Sequence, residues 1–230
     1  MEHSQRMLPA VPKGSYLRSG FLLIFKYLSP IFKANHQMTQ PQDFVKFINQ
    51  NPTDLSDMFN GMVIREAEYM IETLFDLSNV TIADRMFQNA KFSSLSLKMP
   101  RLRSARNMFE GADGRKLGAC DFSGVVDATE MFKLSYINVI DNQDMPNVAI
   151  ATNMFEGCHM YHFECFKFRS LTNVIGMFRG TSIFGVDSNG FNNIQVHTNI
   201  FDSATINCKL DGKLKALAQE YGFKKIPKNK

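Results

Sequence analysis

The feature that most constrains the fold is a Met-Phe pair that returns at nearly constant spacing. The pair occurs at Met58-Phe59, Met86-Phe87, Met108-Phe109, Met131-Phe132, Met154-Phe155 and Met177-Phe178, and Ile200-Phe201 follows as a variant. The steps from one Phe to the next are 28, 22, 23, 23, 23 and 23 residues. A period of this length predicts a solenoid, because a single unit cannot bury its own apolar face and must stack on its neighbours.

Other positions repeat when the Phe of each unit is numbered zero. Position −7 is Val, Leu or Ile in the six units from Phe87 onward, position −4 is mostly Ala, and position +2 is most often Gly. The apolar positions −7, −4, −1 and 0 have the three-and-four spacing of one helix face. The sequence therefore predicts a short helix in each unit, which the Gly at +2 would end.

Upstream of this segment, the residues at −12 and −10 are mostly apolar and the residue between them is mostly polar. Examples are Leu97 with Met99 and Phe166 with Phe168. Alternation with a period of two predicts a short strand that turns one face inward. Each unit should thus contain a strand, a tight connection and a helix.

This pattern resembles the BspA-type leucine-rich repeats and the related Met-Phe repeat domain of unknown function from bacterial and mycoplasma surface proteins. The most similar stretches are MFEGA, from Met108 to Ala112, and NVAIATNMFEGC, from Asn147 to Cys158. The resemblance covers roughly residues 50–210 and implies a leucine-rich-repeat-like stack. The expected fold is an α/β solenoid of short strand–helix units of about 23 residues with helical caps.

The chain divides into four parts on this interpretation. Residues 1–37 are expected to be an extension or leader, since Met38 could serve as an alternative start. Residues 38–75 should form an N-terminal helical cap with a first degenerate repeat, and residues 76–210 the solenoid. Residues 211–230 should form a C-terminal helical cap, with the helix between Asp211 and Tyr221, and a basic tail. The apolar residues 20–32 are too short to span a bilayer, so a buried or interfacial helix is expected, and an uncleaved membrane-associated leader is the alternative.

Charge and motif content exclude several classes of protein. The net charge of +4 is mild and arises partly at the two ends, so no basic stripe for nucleic acid is expected. The sequence contains none of the phosphate-binding, zinc-protease or serine-hydrolase motifs. We therefore expect no catalytic residues, no cofactor, no small-molecule substrate and no nucleic-acid partner.

One cluster has residue types that bind metals, namely Cys158, His159, His162 and Cys165. Thiols and imidazoles within eight residues could form part of a zinc site. The repeat argues against this, because Cys158 falls in a column of small core residues and the histidines fall in the connection after it. The expectation is no bound metal, with this cluster as the open alternative.

The surface between the repeated apolar columns is the expected place for binding. Position −11 should point outward from the strand, and it is occupied by Asp76, Lys98, Asp121, Asp144 and Lys167, with Arg169 two residues further on. This charged row favours a protein partner.

The chain is thus expected to be a non-enzymatic protein-binding repeat, either a recognition scaffold or an assembly subunit. The alternatives are an intracellular effector or inhibitor of a host or competitor protein, and a phage or virion accessory protein. The location expected is the cytoplasm or a larger assembly, and the resemblance adds surface exposure as an alternative.

Overall fold

The computed structural model describes residues 50–64, 71, 76–160 and 162–223. Three features expected from the sequence lie outside these residues: the extension 1–37, the apolar segment 20–32 and the basic residues 224–230. Most of the N-terminal cap expected at 38–75 also lies outside them.

The described chain is a parallel β-solenoid with little helix. Its strands are short, and every strand pairing is parallel and joins equivalent positions of different units. The strands are β1 (Lys91–Leu95), β2 (Asp113–Leu117), β3 (Tyr136–Ile140), β4 (Gln143–Met145), β5 (His162–Phe163), β6 (Phe166–Phe168), β7 (Ser182–Ile183), β8 (Gly185–Val186) and β9 (Thr205–Ile206). They form a sheet of order β1-β2-β3 and the pairs β4-β6, β5-β8 and β7-β9. The predicted solenoid stack is confirmed.

A further ladder of parallel bridges runs along all seven units at position −5. It joins Asp54, Ile82, Ser104, Asp127, Ile150, Asn173 and Val196 in that order. Each bridge comes just before the Met-Phe segment, so the seven segments are held in register. Because the segments are in register, equivalent residues of successive units stack on one another along the axis.

The Met-Phe segment itself is a run of tight turns, and the predicted helix is wrong. In the Phe109 unit, the amides of Met108, Glu110 and Ala112 donate to carbonyls three residues earlier, at 3.3, 3.1 and 3.1 Å. The alternate amides donate to carbonyls of the next unit at 2.8–3.0 Å, from Ala105, Asn107, Phe109 and Gly111. Every second N–H therefore closes a turn, and the others join neighbouring units.

Backbone angles explain why no helix forms. Positions −2 and +2 have positive φ, between 51° and 71°, in all seven units. Position −2 holds Asp57, Arg85, Asn107, Glu130, Asn153, Gly176 and Asn199, and position +2 holds Gly61, Asn89, Gly111, Leu134, Gly157, Gly180 and Ser203. A left-handed residue at every fourth position interrupts any right-handed helix. The expected α/β character and strand–helix unit are therefore replaced by a strand–turn unit.

The core that the repeat predicts is confirmed. Positions −1 and 0 are buried in every unit, position −7 is buried except at Pro52, and position −4 is buried except at His197. The Phe rings at position zero stack face to face along the axis, with centroids 5.2–6.0 Å apart and interplanar angles of 4–15°. Stacked aromatic pairs add about 0.5–1.5 kcal/mol each beyond the burial of their area. This phenylalanine ladder is the axis of the molecule.

The strand predicted at positions −12 to −10 is present in two units, as β4 and β6. In two of the other units, the residues at position −11, Lys98 and Asp121, form a single parallel bridge. The longer strands β1, β2 and β3 lie instead at positions +4 to +8, which the sequence argument assigned to no element.

One helix, α1 (Gly212–Glu220), lies inside the stretch where the sequence predicts one. Leu214, Leu217 and Ala218 on α1 are buried and belong to the common core. Beyond it, Tyr221 and Phe223 pack edge-on against Phe201, with centroids 6.3 and 5.9 Å away. Aromatic rings thus contact the last ring of the ladder.

Candidate functional site

Most of the charged row predicted from the sequence lies in consecutive units of the solenoid. Lys98 bridges Asp121, and Asp144 pairs with Lys167 in the register of β4 and β6. Lys98 and Asp144 are exposed, whereas Asp121 and Lys167 are partly buried. Asp76 is at the start of the 3-10 turn Leu77–Asn79. The Ser78 side chain and the Ser78 N–H (3.0 Å) both donate to its carboxylate, and these hydrogen bonds lower its pKa.

Local partners neutralise much of this row. Arg169 pairs with Asp144 (Nη1 to Oδ1, 2.9 Å), and Lys167 pairs with Asp187 (Nζ to Oδ2, 3.0 Å). The pKa of Asp187 is lowered by the Asn189 N–H and by Lys167. Lys167, Arg169 and Asp187 line a shallow cleft of about 460 Å³ together with three asparagines. The structure therefore assembles Asp144, Lys167 and Arg169 into one group.

A second concavity, of about 440 Å³, lies between β3 and the segment that follows it in the next unit. Its two ends are closed by backbone hydrogen bonds, from His159 N–H to the Ser135 carbonyl (2.9 Å) and from Gln143 N–H to the Cys165 carbonyl (2.8 Å). Between these points, β3 pairs with β2 and β5 pairs with β8. The groove opens where those two sheets diverge.

Exposed apolar side chains lie in and beside this groove. Tyr136 (52% exposed) and Val139 (50%) line it, and Phe184 (49%) lies next to it. The ring of Tyr136 lies 5.5 Å from that of His159, and the ring of His162 lies 6.4 Å from that of Phe184. We call Tyr136, Val139, His159, His162 and Phe184 the aromatic patch.

The sequence did not lead us to expect this patch, because the outward binding residues were predicted at position −11. The signal was nevertheless present at positions +4 and +7. Tyr136 and Val139 stand there in one unit, whereas the two preceding units have Lys91, Ser94, Asp113 and Lys116. Large apolar residues where the two preceding units have charged or polar ones indicate a local surface with a distinct use.

The cysteines near the groove are unsuited to nucleophilic chemistry. Burial raises the pKa of the Cys158 thiol to about 12 and that of the Cys165 thiol to about 11. Thiols with such values are protonated at neutral pH, and the thiolate is the reactive form. Among the residues that the structure describes, no group of three or more His, Cys, Asp or Glu side chains could hold a metal ion.

The turn side of the solenoid carries a chain of polar contacts between units. Asn60 donates to Gln88 (3.0 Å), Gln88 donates to Glu110 (2.7 Å), and Asn107 donates to both Glu110 and Glu130 (2.7 Å each). Lys133 then contacts Glu130 at 2.8 Å, and this contact raises the pKa of Lys133. These side chains satisfy one another, so this surface contributes to the stacking of the units.

No helix in the described part of the chain is long and apolar enough to cross a membrane. The stacked Met-Phe units and parallel strands of the described residues define a repeat protein of the β-solenoid class.

Within that class, the chain belongs to the family described as Mycoplasma protein of unknown function, DUF285. The family model matches residues 26–135 and, in an overlapping second match, residues 103–212. The resemblance to a mycoplasma repeat family of unknown function is thereby confirmed. No curated protein and no solved structure matches the chain.

Proposed function

We propose that this protein is a non-enzymatic protein-binding repeat, either a recognition scaffold or a subunit of an assembly, and that its partner contacts the aromatic patch. The observation that carries the proposal is that Tyr136 and Val139, each about half exposed, line a groove, and that the half-exposed ring of Phe184 lies next to His162 of the same groove. Exposed apolar clusters rimmed by polar residues are typical of protein interfaces. Tyr and Phe are enriched among interface residues and Tyr among the residues that contribute most to affinity.

The charged row supplies the second part of the proposed interface. Lys98, Asp121, Asp144, Lys167 and Arg169 present charges of both signs, and Asp76 lies one unit before Lys98. Exposed charges of this kind orient a partner and speed its approach more than they add affinity. The patch would therefore provide affinity and the row orientation. This function requires no cofactor, nucleic acid or small-molecule substrate.

Two narrower versions of the proposal follow from the sequence argument. The partner could be a host or competitor protein that the chain inhibits, or a neighbouring subunit of a phage or virion particle. A cytoplasmic location or a place within an assembly suits both. Light scattering of the purified chain separates them, because an assembly subunit should form large particles. Kinship with BspA-type leucine-rich repeats is a further proposal, supported by the MFEGA motif.

Removing the aromatic patch should abolish partner capture. The variant Tyr136→Ala with Phe184→Ala takes away two exposed rings and should retain the fold, because neither residue is buried. We expect at least about a tenfold loss of the protein captured from the cells that produce the chain, measured by quantitative mass spectrometry.

The matched control is Val63→Ala with Val196→Ala, which removes two exposed apolar side chains away from the patch. This control should capture the partner as the unmodified chain does. Equal capture by the patch variant and the control would show that the patch is not the interface.

Reversing charge in the row should slow association. For Lys98→Glu with Lys167→Glu, we expect the association rate constant for the captured partner to fall by about tenfold or more at low salt, with a smaller change in dissociation. Surface plasmon resonance at two ionic strengths measures both. Lys209→Glu with Lys213→Glu makes the same change in net charge at the C-terminal end and should leave the rate unchanged. A uniform effect of both variants would assign it to net charge and not to the row.

A further inference from the structure

Leu134 adopts a backbone conformation that leucine disfavours. Its φ is 54°, and it occupies position +2, where the other six described units have Gly, Asn or Ser. In this left-handed conformation the Cβ of an L-residue crowds the following carbonyl oxygen, and Gly and Asn are the residues that adopt it most readily. In the seven described units, Leu134 is the one large apolar residue at the positive-φ positions −2 and +2. Leucine here therefore destabilises the folded chain relative to Gly or Asn.

The charged residues that share this conformation gain contacts inside the fold, whereas Leu134 gains little. Arg85 pairs with Asp57 (Nη2 to Oδ2, 2.7 Å), and Glu130 accepts hydrogen bonds from three neighbouring side chains. The Leu134 side chain lies across Gly157 of the next unit, yet Leu134 remains 57% exposed. Burial of less than half of one leucine is a small gain for the fold. A strained residue whose side chain faces solvent points to a role outside the fold.

Leu134 stands directly beside the groove that β3 lines. The hydrogen bond from the His159 N–H to the Ser135 carbonyl closes the groove at this end, and Leu134 immediately precedes Ser135. Tyr136, on the other side of Ser135, lines the groove. A protruding side chain and a cavity of about 440 Å³ are thus neighbours on one surface. Such a surface is self-complementary, since each of two copies can place its protrusion in the cavity of the other across a two-fold axis.

The charge of this surface also allows it to face a copy of itself. A two-fold axis brings equal surfaces together, so a surface with a large net charge would repel its copy. The groove has one carboxylate among its lining residues, that of Glu164, and its Oε1 lies 3.1 Å from Nδ1 of His162. The rest of the lining is apolar, aromatic, neutral polar or imidazole. Two copies of this surface would therefore meet with little repulsion.

The exposed apolar area suits a weak dimer. About half of each of four residues is exposed, namely Leu134, Tyr136, Val139 and Phe184. Half of an aromatic residue corresponds to about 75–125 Å², so the four present about 300–400 Å². A standard interface buries about 800 Å² on each partner, of which a little more than half is apolar. The four side chains can therefore form the apolar centre of an interface of modest affinity.

We propose that the partner at the aromatic patch is a second copy of this chain, and that Leu134 of each copy enters the groove of the other. The inference rests on the proposed function and selects the version in which the chain is a subunit of an assembly. The strain at Leu134 is explained on this basis, because the side chain that destabilises the single chain becomes buried in the dimer.

The test is sedimentation equilibrium of the full chain, combined with thermal unfolding at concentrations where the chain is monomeric. We expect reversible dimers with a dissociation constant in the micromolar range. Leu134→Asn should weaken dimerisation by about tenfold or more, because it removes the entering side chain. The same variant should raise Tm by about 2–4 °C, because asparagine tolerates the left-handed conformation. Loss of association together with a gain of stability is the expected signature.

The matched control is Val63→Asn, which also replaces an exposed apolar residue with asparagine. Val63 is 59% exposed, lies three units from Leu134 and is outside the positive-φ positions. This control should dimerise as the unmodified chain does and should not raise Tm. An equal rise in Tm for both variants would show that the gain does not come from the strain at Leu134, and would overturn this part of the proposal.

A mixing experiment tests the reciprocal geometry. Val139→Asp places a charge in the groove and should block it, so this variant alone should dimerise as weakly as Leu134→Asn. In a mixture, the intact Leu134 of the first variant can enter the intact groove of the second. The mixture should therefore associate more tightly than either variant alone. Association no tighter than that of the separate variants would contradict the exchange of Leu134 between two grooves.

The failure of this inference is distinguishable from failure of the proposed function. If the chain stays monomeric up to millimolar concentration, or if Leu134→Asn dimerises as the unmodified chain does, the second copy is not the partner at Leu134. If Tyr136→Ala with Phe184→Ala nevertheless loses a different captured protein, the patch remains an interface and the proposed function stands. If that variant also captures every partner equally, the interface proposed at the patch is wrong as well.

Discussion

Replacing Phe132 with alanine should lower the free energy of unfolding by about 3–5 kcal/mol. The Phe132 ring is fully buried and stacks on Phe109 and Phe155, with centroids 5.3 and 5.8 Å away, and Phe166 meets it edge-on at 5.4 Å. Truncation leaves a cavity in the middle of the phenylalanine ladder and removes three aromatic contacts at once. Equilibrium unfolding in urea, followed by circular dichroism, measures the loss.

The matched comparison is Phe223→Ala, at the end of the same ladder. Phe223 is half buried and contacts Phe201 alone in the ladder, so its truncation should cost about 1 kcal/mol. In a stack stabilised by contacts between neighbours, damage at the centre should also broaden the transition, because the two halves lose their coupling. A cost for Phe132→Ala no larger than that for Phe223→Ala would contradict the ladder as the main source of cohesion.

Replacing Gly180 with valine should cost about 2 kcal/mol, although the site is exposed. Gly180 has φ +65°, and the nearest heavy atom to an added Cβ would be 3.9 Å away, so there is no steric conflict with the surroundings. The penalty arises from the backbone, since a β-branched residue rarely adopts positive φ. Thermal unfolding by calorimetry measures the change.

Gly180→Asn is the control, and its stability should lie within about 0.5 kcal/mol of the unmodified chain, because asparagine tolerates this conformation. Asn89 already occupies the same position of an earlier unit with φ 56°. If valine and asparagine had equal effects, the left-handed conformation of position +2 would not be a requirement of the fold.

The core was predictable from the sequence because the stacking of equivalent units produces both the buried positions and the repeat. Units that stack in register place position zero of one unit over position zero of the next. Position zero is therefore buried in every unit, and its residue is apolar in every unit. Val125, Ala128 and Met131 lie fully buried, as their columns predict. The period and the residue types together were sufficient to identify the interior.

The helix was wrongly predicted because two structures share one pattern of burial. A chain of tight turns also returns a residue to the interior every three or four positions, so spacing alone cannot distinguish it from a helix. Residues that tolerate positive φ do distinguish them. Asn107, Asn153 and Gly176 at position −2, with Gly111 and Gly157 at position +2, mark the two left-handed positions.

The binding surface was less predictable, because a repeat specifies its interior more strictly than its exterior. Asp144 and Lys167 lie at the middle positions of β4 and β6, where alternation along a strand turns side chains outward, and their role in binding stays a prediction. The groove depends on the divergence of β3 from β5, a departure from the repeat that no column records. Tyr136 and Val139 stand out in their columns, but the groove beside them is visible from the spatial arrangement of the units alone.

The equivalence of the units has a consequence for how such a gene can change. Most units here are 23 residues apart, and each offers its neighbours the same stacked ring, the same bridge and the same alternate amides. Duplication or loss of one whole unit therefore leaves both of its former contact surfaces matched. Chain length can change in steps of one unit while the outward residues diversify independently, so that one lineage can produce binding surfaces of different length and specificity.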